Sequence, residues 1–216
     1  MKKESLKLQA YNMIKEKIIS CEFAPGTLLN EEVLREDIGA SRTPIRDALS
    51  RLEQEGLITI IPKKGIMVSG LSIADINMIF EVRLLLEPYT IRNYGATIPD
   101  ETLMRFYNEL SIPHEAYSNL DFFAIDDEFH NAIVSAMPNR FLRGTYEQIL
   151  THNRRFRVMT GQVSGARLNA TMEEHMGIVK ACLRKDWESA AEAMRAHLIA
   201  SKNSTFDLLL NTAERI

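Results

Sequence analysis

The stretch Ile38-Gly39-Ala40-Ser41-Arg42-Thr43-Pro44-Ile45-Arg46-Asp47-Ala48-Leu49 constrains this chain more than any other. Gly39 ends one short helix, because glycine takes the left-handed conformation that closes a helix without a Cβ penalty. A second helix opens on Ser41 or Thr43, with Pro44 in its first turn, where a missing N–H costs nothing. Ile45, Ala48, Leu49 and Leu52 fall within one arc of that helix and must face a core. Arg42 and Arg46, four residues apart, then share the helix's N-terminal end. Two helices joined by a tight turn, with arginines at the head of the second, form a helix-turn-helix able to enter the major groove.

The flanking sequence completes a small domain. Leu6, Ala10, Met13, Ile14, Lys17 and Ile18 recur at helical spacing and predict a helix over 5–20, broken by Pro25-Gly26. Asn30 suits the cap of the next helix, with Glu31 and Glu32 in its positive first turn. After Gly56, the runs 57–61 and 66–68 read as strands around Pro62-Lys63-Lys64-Gly65. Three helices and a two-stranded hairpin predict a winged helix-turn-helix over residues 1–70.

Residues 71–216 carry almost no strand signal. Breaks at Gly95 to Pro99, Pro113, Pro138-Asn139, Gly161 to Gly165 and Lys185-Asp186 divide them into helices over 72–95, 100–116, 118–136, 139–160, 164–184 and 186–212. The fold class expected is mainly α: the winged domain followed by an all-α bundle large enough to enclose a pocket.

Charge splits along the same line. Residues 1–70 hold 11 Lys+Arg against 10 Asp+Glu, a net +1, and residues 71–216 hold 15 against 19, a net −4. So weak a positive balance argues against indiscriminate coating of nucleic acid, since each phosphate contact needs a cation. It permits a specific binder with its cations gathered on one edge. No apolar run is long enough to span a bilayer, and the N-terminus lacks a secretory pattern. Cys21 and Cys182 stand alone, which suits free thiols and a cytoplasmic location.

The string from Ser41 to Leu49, with Leu52-Glu53, Glu55-Gly56-Leu57 and Lys64-Gly65, resembles the DNA-binding domain of GntR-type bacterial transcription regulators. The helical remainder is similar to the FCD ligand-sensing domain of the FadR-like subfamily, through Arg83 with Glu87, Asp126-Asp127-Glu128-Phe129-His130, Glu174-His175, Lys185-Asp186 and His197-Leu198. The resemblance implies a homodimer on a palindromic double-stranded operator whose grip changes when a small organic or sugar acid binds. It implies repression as the usual outcome. It places Arg42 and Arg46 against guanines and nearby phosphates, a task suited to arginine's planar fork. The face taken to meet DNA comprises Arg35, Ser41, Arg42, Thr43, Arg46 and the wing residues Lys63, Lys64 and Gly65. Some relatives carry arginine where this chain has Glu32, so Arg35, one turn on, is assigned the phosphate contact.

Asp126 and His130 share one helical face, and His175 and His197 lie on the two long helices that follow. Inward side chains from different helices can converge, and one carboxylate with three imidazoles forms a mixed N/O shell for zinc, nickel, manganese or iron. The resemblance implies that these four hold a divalent metal ion, zinc foremost. It also sends Arg83 toward an effector carboxylate. Thr171, one turn before His175 on the same face, and Asn153, which interrupts the inward stripe Leu142, Tyr146, Ile149 and Phe156, are further hydrogen-bonding candidates. The alternative for Arg83 is a plain ion pair with Glu87. His114 is expected at the surface, and Asp127 and Glu128 are expected to be solvated or capping charges. The reading is of a regulator and not an enzyme. Its rivals are a metal-dependent hydrolase built on the Asp/His cluster and a DNA-binding dimer without an effector.

Overall fold

The computed structural model describes residues 5–113, 117–160 and 165–213. They form two compact units, Met1–Ser72 with Arg155–Met159, and Ile73–Arg154 with Thr160–Ile216. The fold class is the one expected, a winged helix-turn-helix followed by a helical domain.

In the first unit, α1 (Leu6–Ile19) is capped by Ser5 and α2 (Glu31–Ile38) by Asn30, whose side chain accepts from the Glu32 amide at 2.8 Å. Gly39 closes α2 at φ 66°, in the left-handed region, and Ser41 precedes α3 (Arg42–Gln54) with extended backbone. The turn between the helices is thus set by a glycine that alone adopts this φ cheaply. Ile45, Ala48, Leu49 and Leu52 join Ala10, Ile14, Ile18 and Leu34 in one buried core. Burying an aliphatic side chain of this size is worth about 1.5–3 kcal/mol.

The wing departs from the expected hairpin. Strand β1 (Leu28–Leu29) adds to β2 (Ile58–Ile61) and β3 (Gly65–Val68) in an antiparallel sheet of order β1-β3-β2. Leu28 pairs with Met67 and Leu29 with Ile66. Two residues hold no detectable alternation, so tertiary pairing makes this strand. At the wing tip the Lys64 amide donates to the Ile61 carbonyl at 3.0 Å, across a turn with Pro62 second and Lys63 third. Lys63 takes φ 64° there, a conformation usually left to glycine or asparagine.

The second unit is built from α4 (Ile73–Tyr94), a 3₁₀ turn (Gly95–Thr97), α5 (Asp100–Leu110), α6 (Asn119–Ser135), α7 (Arg140–Thr160) apart from its residues Arg155–Met159, α8 (Gly165–Leu183) and α9 (Trp187–Ala213). Helix α5 ends at Leu110, short of the expected residue 116. Pro113 disfavours helical backbone at Ile112, and Ser111 caps the end. His114 lies outside the described residues. α6 starts on a full capping box between Ser118 and Asp121. Helices α4, α5, α6, α8 and α9 enclose the main core, which includes Ile91, Phe106, Phe129, Ile178, Ala190, Ala191, Met194 and Leu198. Among the described residues, no helix is long and apolar enough to cross a membrane.

Candidate DNA-reading face and metal centre

The core-facing arc of α3 leaves its opposite face in solvent. Side-chain exposure is 69% for Arg42 and 70% for Arg46, and Ser41 and Thr43 are exposed beside them. Ser41 makes no side-chain cap bond, so its hydroxyl is not committed to the helix start. Arg46 Nε donates to both Glu31 oxygens at 3.1 and 3.3 Å, and Arg42 Nη2 lies 3.9 Å from Glu32. Arg35 donates to Glu32 and is largely covered. A phosphate contact by Arg35 would therefore displace a carboxylate. Lys63, Lys64 and Gly65 are all exposed at the wing tip.

In the second unit, Asp126 and His130 on α6, His175 on α8 and His197 on α9 are all buried, with ligand atoms within 4.8 Å of one another. His197 Nε2 is 3.2 Å from His175 Nε2 and 3.3 Å from His130 Nε2. Asp126 Oδ1 lies 3.7 Å from His175 Nε2 and 3.8 Å from His130 Nε2. The outer ring nitrogens explain the inner ones. His130 Nδ1 meets Glu87 Oε2 at 2.6 Å, and His197 Nδ1 meets Glu174 Oε2 at 2.6 Å. Arg83 and His130 hold buried Glu87 ionised, down at about 2 against its burial penalty. Hydrogen bonds from His197 and Arg167 bring Glu174 to about 2 as well.

An ionised carboxylate only accepts, so both Nδ1 atoms carry the proton. In that tautomer the Nε2 atoms of His130 and His197 present lone pairs to one another at 3.3 Å, with His175 Nε2 and Asp126 Oδ1 beside them. Burial holds His175 well below the usual imidazole range and lowers His197 too, against the pull of Glu174. Converging lone pairs and a carboxylate in a dry interior repel one another unless a cation lies among them. Ligand nitrogens about 2.0–2.1 Å from a tetrahedral zinc stand roughly 3.3 Å apart, near the spacing seen here. The donor set fits such an ion, and Glu87 and Glu174 stand against the histidines as outer carboxylates do where they fix ligand tautomers at metal centres.

Arg83 is 3% exposed. Its Nε donates to Glu87 Oε1 at 2.7 Å, while its Nη2 has no hydrogen-bond partner. Arg83 is thus both a helix ion pair and a buried group with an unused donor. Its charge reaches Asp126, His175 and His197. Asn153 and Thr171 are buried, and Thr171 Oγ1 donates to the Arg167 carbonyl one turn back at 3.0 Å.

A model for the gntR family of bacterial regulatory proteins matches residues 6–68, and one for the FCD domain matches residues 78–200, more than half the chain. The chain belongs to the GntR family and carries an FCD domain. The transcriptional regulator YdhC of Bacillus subtilis is 29% identical over 196 residues, covering 88% of this chain and 86% of its own. The transcriptional repressor RspR of Escherichia coli is 28% identical over 194 residues, covering 88% and 84%. Among solved structures, E. coli McbR/YncC superposes with TM-score 0.80 at 20% identity, over 95% of this chain and 99% of that one. The Zn2+-bound FCD domain of TM0439 gives TM-score 0.57 at 20% identity, over 65% and 98%. These two likenesses establish the shared fold. This GntR protein is a DNA-binding transcriptional regulator.

Sequence reading undervalued three residues of the FCD domain. Glu87 enters it only as the partner of Arg83, yet it accepts from Arg83, His130 and Tyr146, the last at 2.7 Å. The available signal is an Arg-xxx-Glu pair on a strongly apolar helix. Tyr146 reads as one more apolar stripe residue, and Glu174 as a neighbour of His175. One further expectation needs correction. Asp127 is buried and paired with Arg154, not solvated, because Arg154 on α7 faces it. Glu128 is exposed, as expected, and bridges to Arg105 at 2.8 Å.

Proposed function

We propose that this GntR regulator acts as a homodimeric, metal-containing sensor, a repressor that binds a palindromic operator and alters its grip when a small carboxylate or sugar acid enters the FCD domain. The observation that carries this reading is the buried convergence of Asp126, His130, His175 and His197, with the Nδ1 atoms of His130 and His197 tied to carboxylates. These four side chains would hold the ion, and zinc is the first choice for such an N/O set, with nickel, manganese or iron next. A bound divalent ion supplies a positive centre that attracts an anionic effector.

The chain's own residues do the rest. Arg83 contributes a buried guanidinium with one unused donor, matched to a carboxylate oxygen. Asn153 and Thr171 supply hydrogen bonds that select among hydroxylated acids. On the DNA side, Arg42, Arg46, Ser41 and Thr43 meet the major groove, Lys63, Lys64 and Gly65 approach the minor groove, and Arg35 takes a phosphate after leaving Glu32. Repression is supported by the repressor named among the relatives. An effector shifts the operator equilibrium only by its difference in affinity for the two forms of the dimer.

Fluorescence anisotropy on a duplex selected from a random-sequence pool tests the reading. A panel of small mono-, di- and hydroxycarboxylates should contain members that change operator affinity about tenfold or more, with the metal-loaded protein only. Constant affinity across the panel, with and without metal, would leave a DNA-binding dimer without an effector.

A further inference from the structure

Arg46 does not hang free above the solvent. Its Nε is bifurcated between the two oxygens of Glu31, at 3.1 and 3.3 Å. Glu31 opens α2, directly after the Asn30 cap, and the partial positive charge of that helix end favours its carboxylate. Glu31 is the more covered partner, with 30% side-chain exposure against 70% for Arg46. The anchor therefore belongs to α2 and the swinging arm to α3.

A guanidinium is a rigid planar fork. With Nε taken by Glu31, its outer edge, formed by the two Nη groups, is the edge left to solvent. That edge can grip O6 and N7 of one guanine together. Glu32 makes a useful contrast, since it holds Arg35 and lies 3.9 Å from Arg42, beyond hydrogen-bond reach.

We propose that Glu31 is a positioning residue for sequence reading: it holds the Arg46 guanidinium with its Nη edge turned outward, ready for a guanine. The proposal rests on the assignment of Arg46 to base contact made above. Two effects follow. Orienting a long side chain before binding removes part of the ordering cost that the correct sequence would otherwise carry. A carboxylate so close to the duplex also repels phosphates of every sequence, which lowers non-specific binding. The first raises the ratio of specific to non-specific affinity; the second weakens both alike and leaves that ratio unchanged.

The test compares the full chain and its variants on the pool-selected duplex and on a shuffled duplex of equal composition. Glu31→Ala is expected to lower the selected-to-shuffled affinity ratio about fivefold or more, while binding to the shuffled duplex stays level or tightens. Glu31→Gln, which keeps an acceptor for Nε, should recover most of the ratio. In an Arg46→Ala background, Glu31→Ala should change the ratio no further. Equal effects of Glu31→Ala on both duplexes, or the same loss without Arg46, would overturn the positioning role while leaving Arg46 as a reader. An unchanged ratio for Arg46→Ala alone would remove the reading of Arg46, and the role of Glu31 with it. Circular dichroism melting of each variant checks that the exposed site has not altered folding.

Discussion

At the scale of single residues, the two ends of this chain use charge in opposite ways. Arg46 is exposed and held by one surface carboxylate, a pairing that contributes little to stability. Its proposed value is in contact with a base. Arg46→Ala is expected to weaken binding to the selected duplex by about 1–3 kcal/mol and to relax the preference at one base pair, as read by anisotropy on single-base variants. Glu87 is the reverse case. It is fully buried and balances Arg83 while accepting from His130 and Tyr146. Glu87→Gln leaves Arg83 without its counter-charge, so thermal melting should show a loss of about 3–5 kcal/mol. The His130 ring also loses the acceptor that fixes its tautomer, and metal affinity should fall about 10–100-fold by calorimetric titration.

At the scale of elements, helix contacts decide where the histidines meet. Gly95, in the turn after α4, lies against the Trp187 ring at the head of α9. A Cβ built on it would stand 2.6 Å from Trp187 Cε3. Gly95→Ala must push α9's first turn outward, and a destabilisation of about 1–3 kcal/mol is expected in chemical unfolding. The same helices set a pH dependence. His175 and His197 are held below their ordinary value in the folded state, so the unfolded chain binds more protons there. Stability of the metal-free protein should therefore fall as pH drops below about 6.5. Glu87 and Glu174, lowered to about 2, add a second loss as pH falls from their unfolded range toward 2. Metal affinity should decline in the upper window, because protons and metal compete for the same lone pairs. Urea melts at successive pH values, with and without added zinc, would show both.

Much of this was legible along the chain because it depends on local signals. Asn30, Gly39, Ser41 and Pro44 fix the turn before α3 by capping and backbone preference alone, and helical spacing puts Asp126 over His130. Long-range pairing was not legible. β1 exists only because Leu28 and Leu29 find β3, and Glu87's role exists only because α6 and α7 bring His130 and Tyr146 to it. Asp127, polar and next to a ligand, reads as solvated until Arg154 is seen facing it. The convergence of four ligands from three helices was available only through family resemblance, since spacing alone aligns two of them.

At the scale of the whole molecule, each compact unit keeps its own core. Residues 1–70 are nearly neutral in formal charge, so their hold on DNA depends on a few well-placed cations and not on bulk attraction. The second unit brings together Asp126, His130, His175 and His197, the ligand set proposed for a cation. Elemental analysis of the purified full chain, beside His175→Ala, tests this most directly. The account predicts about one divalent ion per chain in the parent protein and a large loss in the variant, with the helical far-ultraviolet spectrum retained. Equal metal content in the two proteins, or a parent that binds no zinc when dialysed against it, would contradict the account.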